Sequence, residues 1–424
     1  MINFARHDSQ DIRPTFVARL AEITLIGYLC QAAFFGPIRH YLISTQVEFL
    51  WYIPDLLGAA CLAAAVASGS LRLLVFLAVI AVYLLEGYLV SGSVGSVLST
   101  FKALMPIFCG FLIDQNYLRR PLMKVLFLVL LLIACAGVVY SVYFEIPWAN
   151  LEFQGIGAAQ KYKAPQWVTG GRIRSYGFAG DEHGAASSII AFFIFFAIGV
   201  RKWIFYLAAA VALIGVEMTT SRTNFVALIA FIVLYTASQW HVSVDKQFIL
   251  KWALRFSFFA PLVPLTIMAI SLLFTAETVP NQLLSMWIRG TFTWLVPFTY
   301  ADDLAPLAVL HGFGLGGVSF GLLQSDLSAY YTPVDNFILF NYLSFGAPYI
   351  MFYIFQCYRM LFERDPNKVM VYIVTSLQGL ALRGWSDSPF MILFGFGTTS
   401  VFYGVPPKPV AFTRRRISVG EVKS

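Results

Sequence analysis

Charge is scarce in this chain. Only 12% of its 424 residues are Asp, Glu, Lys or Arg, about half the share found in soluble domains. With 59% hydrophobic residues and a mean hydropathy of +0.74, the shortage excludes a soluble globular protein and leaves an integral membrane one. Cysteine is equally uninformative as a scaffold: Cys30, Cys61, Cys109, Cys135 and Cys357 sit singly in apolar stretches without ligand-like spacing, so neither a metal centre nor a disulfide framework is supported. They read as small hydrophobes. No carboxylate cluster suggests a bound metal, and nothing else calls for a cofactor. The first nineteen residues lack a short apolar core followed by a small-residue cleavage pattern, so the first apolar segment is expected to stay as an anchor. Internal repeats and low-complexity tracts are also missing, and with them the inverted-repeat signature of many transporters.

The basic residues give a formal charge of +7, but they are scattered between apolar segments rather than gathered on one surface, which argues against nucleic acid. Aromatic residues reach 17%, with 40 Phe and 21 Tyr, enough for interfacial belts and for surfaces on which sugar rings stack. A helix needs about 20 apolar residues to cross the hydrocarbon. Such runs fall near 17–36, 47–67, 71–90, 97–114, 122–146, 184–200, 202–218, 223–239, 251–274, 334–356, 368–383 and 387–404. The expectation is an all-α polytopic protein, one transmembrane domain over 1–424, with about twelve transmembrane helices and both termini on the same side. Arg6, Arg13 and Arg19, the run Arg414 to Arg416, and the pairs and clusters at Arg119/Arg120, Arg201/Lys202, Lys246/Lys251 and Arg359/Arg364/Lys368 mark that side as cytoplasmic.

Two long segments, 147–183 and 275–333, and short turns at 219–222 and 383–388 then face the other way. They carry Lys161, Lys163, Arg172, Arg174, Arg222, Arg289, His311 and Arg383. Since the usual bias places Lys and Arg in cytoplasmic loops, cations on the far side need another reason to be there. An anionic substrate supplies one.

Three stretches concentrate this chemistry. The turn Met218-Thr219-Thr220-Ser221-Arg222-Thr223-Asn224 places Arg222 at a helix start. It reads either as a cap with Arg222 snorkelling or paired to Glu217, or as a phosphate site in which a guanidinium joins free helix amides. The stretch from Gly171 to His183 holds Arg172 and Arg174 on one side of an extended segment, followed by glycines at 177, 180 and 184. Two such cations grip a diphosphate; the plainer reading is headgroup contact and loop solubility. The run from His311 to Gly317 fails as a dinucleotide fingerprint, because no strand-turn-helix unit surrounds it, and reads as backbone that approaches a ligand or turns back at the surface. Asp335 and Asn336 open the following apolar helix, as caps or with Asp335 accepting a hydroxyl proton. Asp55, Glu86 and Lys102 lie inside spans, where an ionisable group is either functional or a tie between helices.

In their order, these motifs resemble the bacterial O-antigen polymerase and ligase superfamily: Arg174 with Tyr176-Gly177-Phe178 and Asp181-Glu182-His183, then Ser221-Arg222, Arg289 ahead of Trp294, Gly312 to Gly317, and Asp335-Asn336 with Gly346 beyond. The likeness covers about residues 160 to 350 in motif order and the whole chain in architecture, and within the superfamily it is greatest to exopolysaccharide polymerases of the xanthan type. The chain departs from the pattern at Asp335, where ligases and many polymerases of the superfamily have His. The resemblance implies a metal-independent inner-membrane glycosyltransferase. It would transfer a growing glycan from undecaprenyl diphosphate to the acceptor sugar of another lipid-linked repeat at the periplasmic face, with membrane lipid around it and a chain-length regulator or export machinery as partner. Its implied site has Arg222 and Arg289 on the donor diphosphate, Arg172 and Arg174 on the acceptor diphosphate or its lipid's headgroup, and Asp335 or His311 taking the hydroxyl proton. Tyr176, Asp181, His183, Ser221, Asn336 and Arg383 complete the binding surface. Two other readings remain open: a ligase that hands the glycan to a lipid A-core acceptor, and a flippase for an anionic glycolipid, which needs water-accessible charge through the bilayer midplane.

Overall fold

The computed structural model describes residues 15–148, 152–153, 162–163, 168–169, 172–239, 246–275, 277–280, 283–382, 385 and 387–403. The described chain is helical apart from two minimal antiparallel ladders, Glu152–Phe153 with Tyr162–Lys163 and Val168–Thr169 with Arg172–Ile173. Each of the twelve apolar runs is helical over most of its length. The helices are α1 (Thr15–Ala33), α2 (Phe35–Ser44), α3 (Ile53–Ala67), α4 (Leu71–Ser91), α5 (Val94–Leu112), α6 (Pro121–Tyr143), α7 (Glu182–Ala197), α8 (Lys202–Met218), α9 (Arg222–Gln239), α10 (Lys246–Ser257), α11 (Leu262–Leu273), α12 (Phe337–Phe345), α13 (Ala347–Leu361), α14 (Pro366–Gln378) and α15 (Ser388–Tyr403), with shorter turns between them.

Among the described residues, six stretches are long and apolar enough to cross a bilayer: 16–33, 48–67, 71–91, 94–112, 121–143 and 248–273. Two expected runs are interrupted. The 251–274 run divides at the turn around Pro261, which cannot supply an amide to continue α10. The 334–356 run divides at Gly346, whose φ of +62° suits glycine and whose amide closes α12 on the Tyr342 carbonyl at 2.6 Å.

The core is built around α7 and α15. Of the 16 residues of α7, 14 are buried, as expected of a helix that is apolar on every side. It packs on α6, α8, α9 and α15, while α15 crosses α5 most closely. That crossing depends on small residues: a Cβ added at Gly110 would run into the Ile392 carbonyl, and one added at Gly395 into the Ile107 carbonyl. Asp55 and Lys102 pair at 3.6 Å, so these intramembrane charges tie α3 to α5.

Candidate functional site

Four helix ends and one turn meet at one end of the bundle. Asp181 caps α7, its Oδ1 accepting from the Gly184 amide at 2.6 Å. Behind the cap, buried Glu182 accepts from Arg174 at 2.6 Å, and His183 Nδ1 lies 3.2 Å from Ser221 Oγ. Ser221 opens α9 after Thr220, whose φ of +59° is an uncommon conformation for a residue with a side chain and turns the chain sharply into the helix. Asn224, one turn into α9, donates to Ser221 Oγ at 3.0 Å and accepts at 2.9 Å from Gln378, the last residue of α14. Two residues on, the Leu380 carbonyl accepts from Asn336 Nδ2 at 3.0 Å, while Asn336 Oδ1 caps α12 by accepting from Leu339.

Asp335 continues the chain of contacts. Its Oδ2 lies 3.0 Å from Arg289 Nη1, and its Oδ1 accepts from Trp294 Nε1 at 2.7 Å. A widened turn over Gly290–Trp294 makes this possible, closing between the Leu295 amide and the Gly290 carbonyl at 2.9 Å. In an α-helix, residues five apart point about 140° away from each other; the π-type turn brings Arg289 and Trp294 to one carboxylate, and such turns often mark functional sites.

Most of the expected site residues meet here. Arg174, His183 and Ser221 are linked to Gln378 through Glu182 and Asn224, Asn336 reaches the Leu380 carbonyl, and Asp335 holds Arg289, three sets of contacts joined to one another through the chain at 378–380 and 335–336. Tyr176 is buried close by in sequence, and Arg222 is exposed at the start of α9. Arg222 has no ion pair among the described residues, Glu217 included, which leaves the readings as a snorkelling arginine and as a phosphate site. Arg172 lies in a ladder strand whose side chains are outside the description, and Arg383 lies outside the described residues.

His311 is elsewhere. Its Nδ1 lies 2.5 Å from Glu86 Oε1 of α4, and the glycines after it hug backbone: Phe313 and Gly314 donate to the carbonyls of Leu343 and Ser344, and Leu315 to that of Tyr83. This places His311 at the C-terminal end of α12, about 13 Å along the helix from Asp335. The glycine run therefore serves close approach between protein segments, and His311 does not share the site with Asp335.

Four participants carried no assigned role in the sequence. Glu182 and Asn224 stand inside motifs singled out for their neighbours, and Gln378 gives no signal at all. Asp387 does: it is an acid just ahead of an apolar helix. Its Oδ1 caps α15 by accepting from Phe390 at 3.0 Å, and its carboxyl faces the Ser187 hydroxyl of α7.

Beside this polar end runs an apolar cavity of about 420 Å³ between α4, α12, α13 and α15. It begins at Phe337, next to Asn336, and at Trp385, and it reaches Leu71 and Phe402 at the far end. Leu71, Val75 and Val79 on its rim are exposed, so it opens sideways, toward where lipid would lie.

No protein-family model matches the chain, nor does any curated protein or solved structure.

Proposed function

We propose that the protein is a polymerase of lipid-linked polysaccharide repeats, transferring a glycan from a polyprenyl diphosphate to a hydroxyl of a second lipid-linked repeat. The observation that supports it is the set of polar contacts from Arg174 to Gln378, at Asn336 and between Asp335 and Arg289, gathered where helix ends meet in an apolar bundle, with an apolar cavity that starts at Phe337 beside them. A diphosphate bearing a long apolar chain fits that combination.

In this reading the chain crosses the membrane twelve times. The termini and the Arg119/Arg120 and Arg201/Lys202 loops are cytoplasmic, and the polar end faces the periplasm. Helices such as the 16-residue α7, about 24 Å long, cross with their ends shielded by protein rather than by reaching both headgroup layers.

Bond cleavage leaves concentrated negative charge on the diphosphate. Arg222, which has no ion pair among the described residues, meets it beside the α9 amides. Arg289 meets it already oriented, because Asp335 engages one of its five N–H donors and leaves others for phosphate oxygen. Asp335 thus positions Arg289: with one oxygen on the guanidinium and the other on the indole, it is poorly placed to accept a proton as well. Arg174, held by Glu182, sits nearer the second lipid-linked repeat.

The test is direct. Purified protein incubated in detergent with a lipid-linked repeat unit is expected to yield a ladder of longer lipid-linked products. A single unchanged band under conditions where the protein stays folded rejects the polymerase reading, and elongation only onto a lipid A-core acceptor favours the ligase.

A further inference from the structure

Two aromatic pairs stand beside the contact between Asp335 and Arg289. Trp294 donates to Asp335, and six residues further on the Tyr300 ring meets Tyr330 edge-on, with centroids 5.5 Å apart. The stretches Trp294 to Tyr300 and Tyr330 to Asp335 therefore pass each other in opposite directions, which carries the second stretch back from Arg289 along the first. Tyr331 lies four residues before Asp335, at most about 13 Å from it even in fully extended chain. Its ring packs against Phe320, with centroids 5.9 Å apart and a tilt of 52°. Phe320 and Tyr331 are both half-buried, and unlike Tyr300 and Tyr330 neither is packed into the hydrophobic core.

We propose that Phe320, Tyr330 and Tyr331 form a saccharide platform that holds sugar rings of the lipid-linked repeat close to Arg289; this rests on the polymerase reading and gives it a glycan subsite. A pyranose ring presents C–H groups on its faces and hydroxyls around its rim. A half-exposed tyrosine matches both, with an apolar ring and a polar tip. Asp326, the single acid of the loop from Ser319 to Tyr331, is exposed, and its carboxylate accepts hydrogen bonds of the kind that sugar hydroxyls donate.

The loop holds its rings still. The amides of Ser325, Ser328, Tyr330 and Tyr331 each donate to the carbonyl three residues back, so the chain between the two rings is a succession of tight turns. Ser93 Oγ, at the start of α5, donates to the Gln324 carbonyl at 2.5 Å, and the Val334 amide donates to Ser319 Oγ at 3.3 Å. The second bond ties the loop to the stretch that ends at Asp335. Rings placed in advance bind a ligand with less loss of conformational freedom.

Aromatic residues also gather in belts at the boundary of a bilayer. These rings sit on a turned loop that leads directly into Asp335, outside the helices that are long and apolar enough to cross, and this continuity with Arg289 favours a sugar over lipid.

The experiment compares wild type with Tyr331→Ala, Tyr331→Phe, Tyr331→Leu and Phe320→Leu, all checked by thermal melting. Two quantities are read: KM and kcat for the repeat in ladder formation, and the affinity for the water-soluble oligosaccharide released from that repeat, by NMR titration. Tyr331→Ala is expected to raise KM about tenfold and to weaken oligosaccharide binding by a similar factor, with kcat nearly unchanged. Tyr331→Phe keeps the ring and is expected to retain most of both. The leucine variants keep apolar bulk without a ring, so they are expected to behave as Tyr331→Ala does, and they test the platform should the alanine variant fail to fold. Wild-type KM and oligosaccharide affinity in both leucine variants overturn the platform, as rings that merely meet lipid would give, while the polymerase reading stands. Should wild type form no ladder, the titration separates the two ideas: oligosaccharide binding that the leucine variants lose supports the platform and rejects the polymerase, and no binding by wild type overturns both.

Discussion

Asp335 illustrates how one carboxylate can be read two ways until its contacts are known. In the sequence it stands before Asn336 at the start of an apolar helix, and nothing there separates a cap from a base. In the fold Asn336 does the capping, while Asp335 joins Arg289 and Trp294 from 46 and 41 residues upstream. Long-range pairing of this kind has no local signature, which is why the order of motifs could be read and their partnerships could not. Asp335→Asn is expected to loosen Arg289 and slow polymerisation at least about tenfold. In the Arg289→Ala background the same change is expected to add little, because both act through one guanidinium. Fully additive losses in that double-mutant cycle would show that Asp335 acts independently. The opposite lesson comes from Gln378, a polar residue at a helix end with nothing to mark it, yet the link between α9 and α14.

Helices were the legible part of this chain. Every apolar run corresponds to helix, because twenty hydrophobic residues have few alternatives where backbone groups must be satisfied within the segment. What composition could not fix is where a run breaks: Gly346 and the turn at Pro261 each divide one, and a lone glycine or proline is tolerated in many unbroken membrane helices. Nor does hydropathy show which helices touch. The α5–α15 crossing rests on Gly110 and Gly395, each facing a carbonyl of the other helix. Gly395→Ala is expected to destabilise the protein by about 1–3 kcal/mol, as overpacking usually does, seen as a lower melting temperature in detergent. An unchanged melting temperature would mean that the helices separate freely there. At the α4–α12 cavity the expected effect is on substrate rather than stability. Val79→Trp, on the exposed rim, should raise KM for a long polyprenyl donor more than for a short-chain analogue, and equal KM changes for the two would exclude the cavity as the chain's path.

At the level of the whole molecule, the account joins an apolar body, a polar end and an apolar cavity leading to it. Membrane residence was plain from the scarcity of charge alone. Which acids the arginines pair with was not legible, since it depends on segments packing across the bundle: Arg174 finds Glu182, and Arg289 finds Asp335. Labelling of single cysteines placed in the termini and in the turn before Arg222 by a membrane-impermeant reagent in intact cells is expected to modify only the turn; labelling at the termini contradicts the twelve-crossing arrangement. The central claim is that Arg222 and Arg289 together neutralise the departing diphosphate. Its most direct test is the initial rate of ladder formation by the folded Arg222→Lys, Arg289→Lys double variant. Lysine keeps the charge but not the paired N–H donors, so each replacement is expected to cost about 3 kcal/mol at the transition state, near 100-fold in rate, and the double variant should form no ladder on the wild-type time scale. A double variant that polymerises at the wild-type rate contradicts the account.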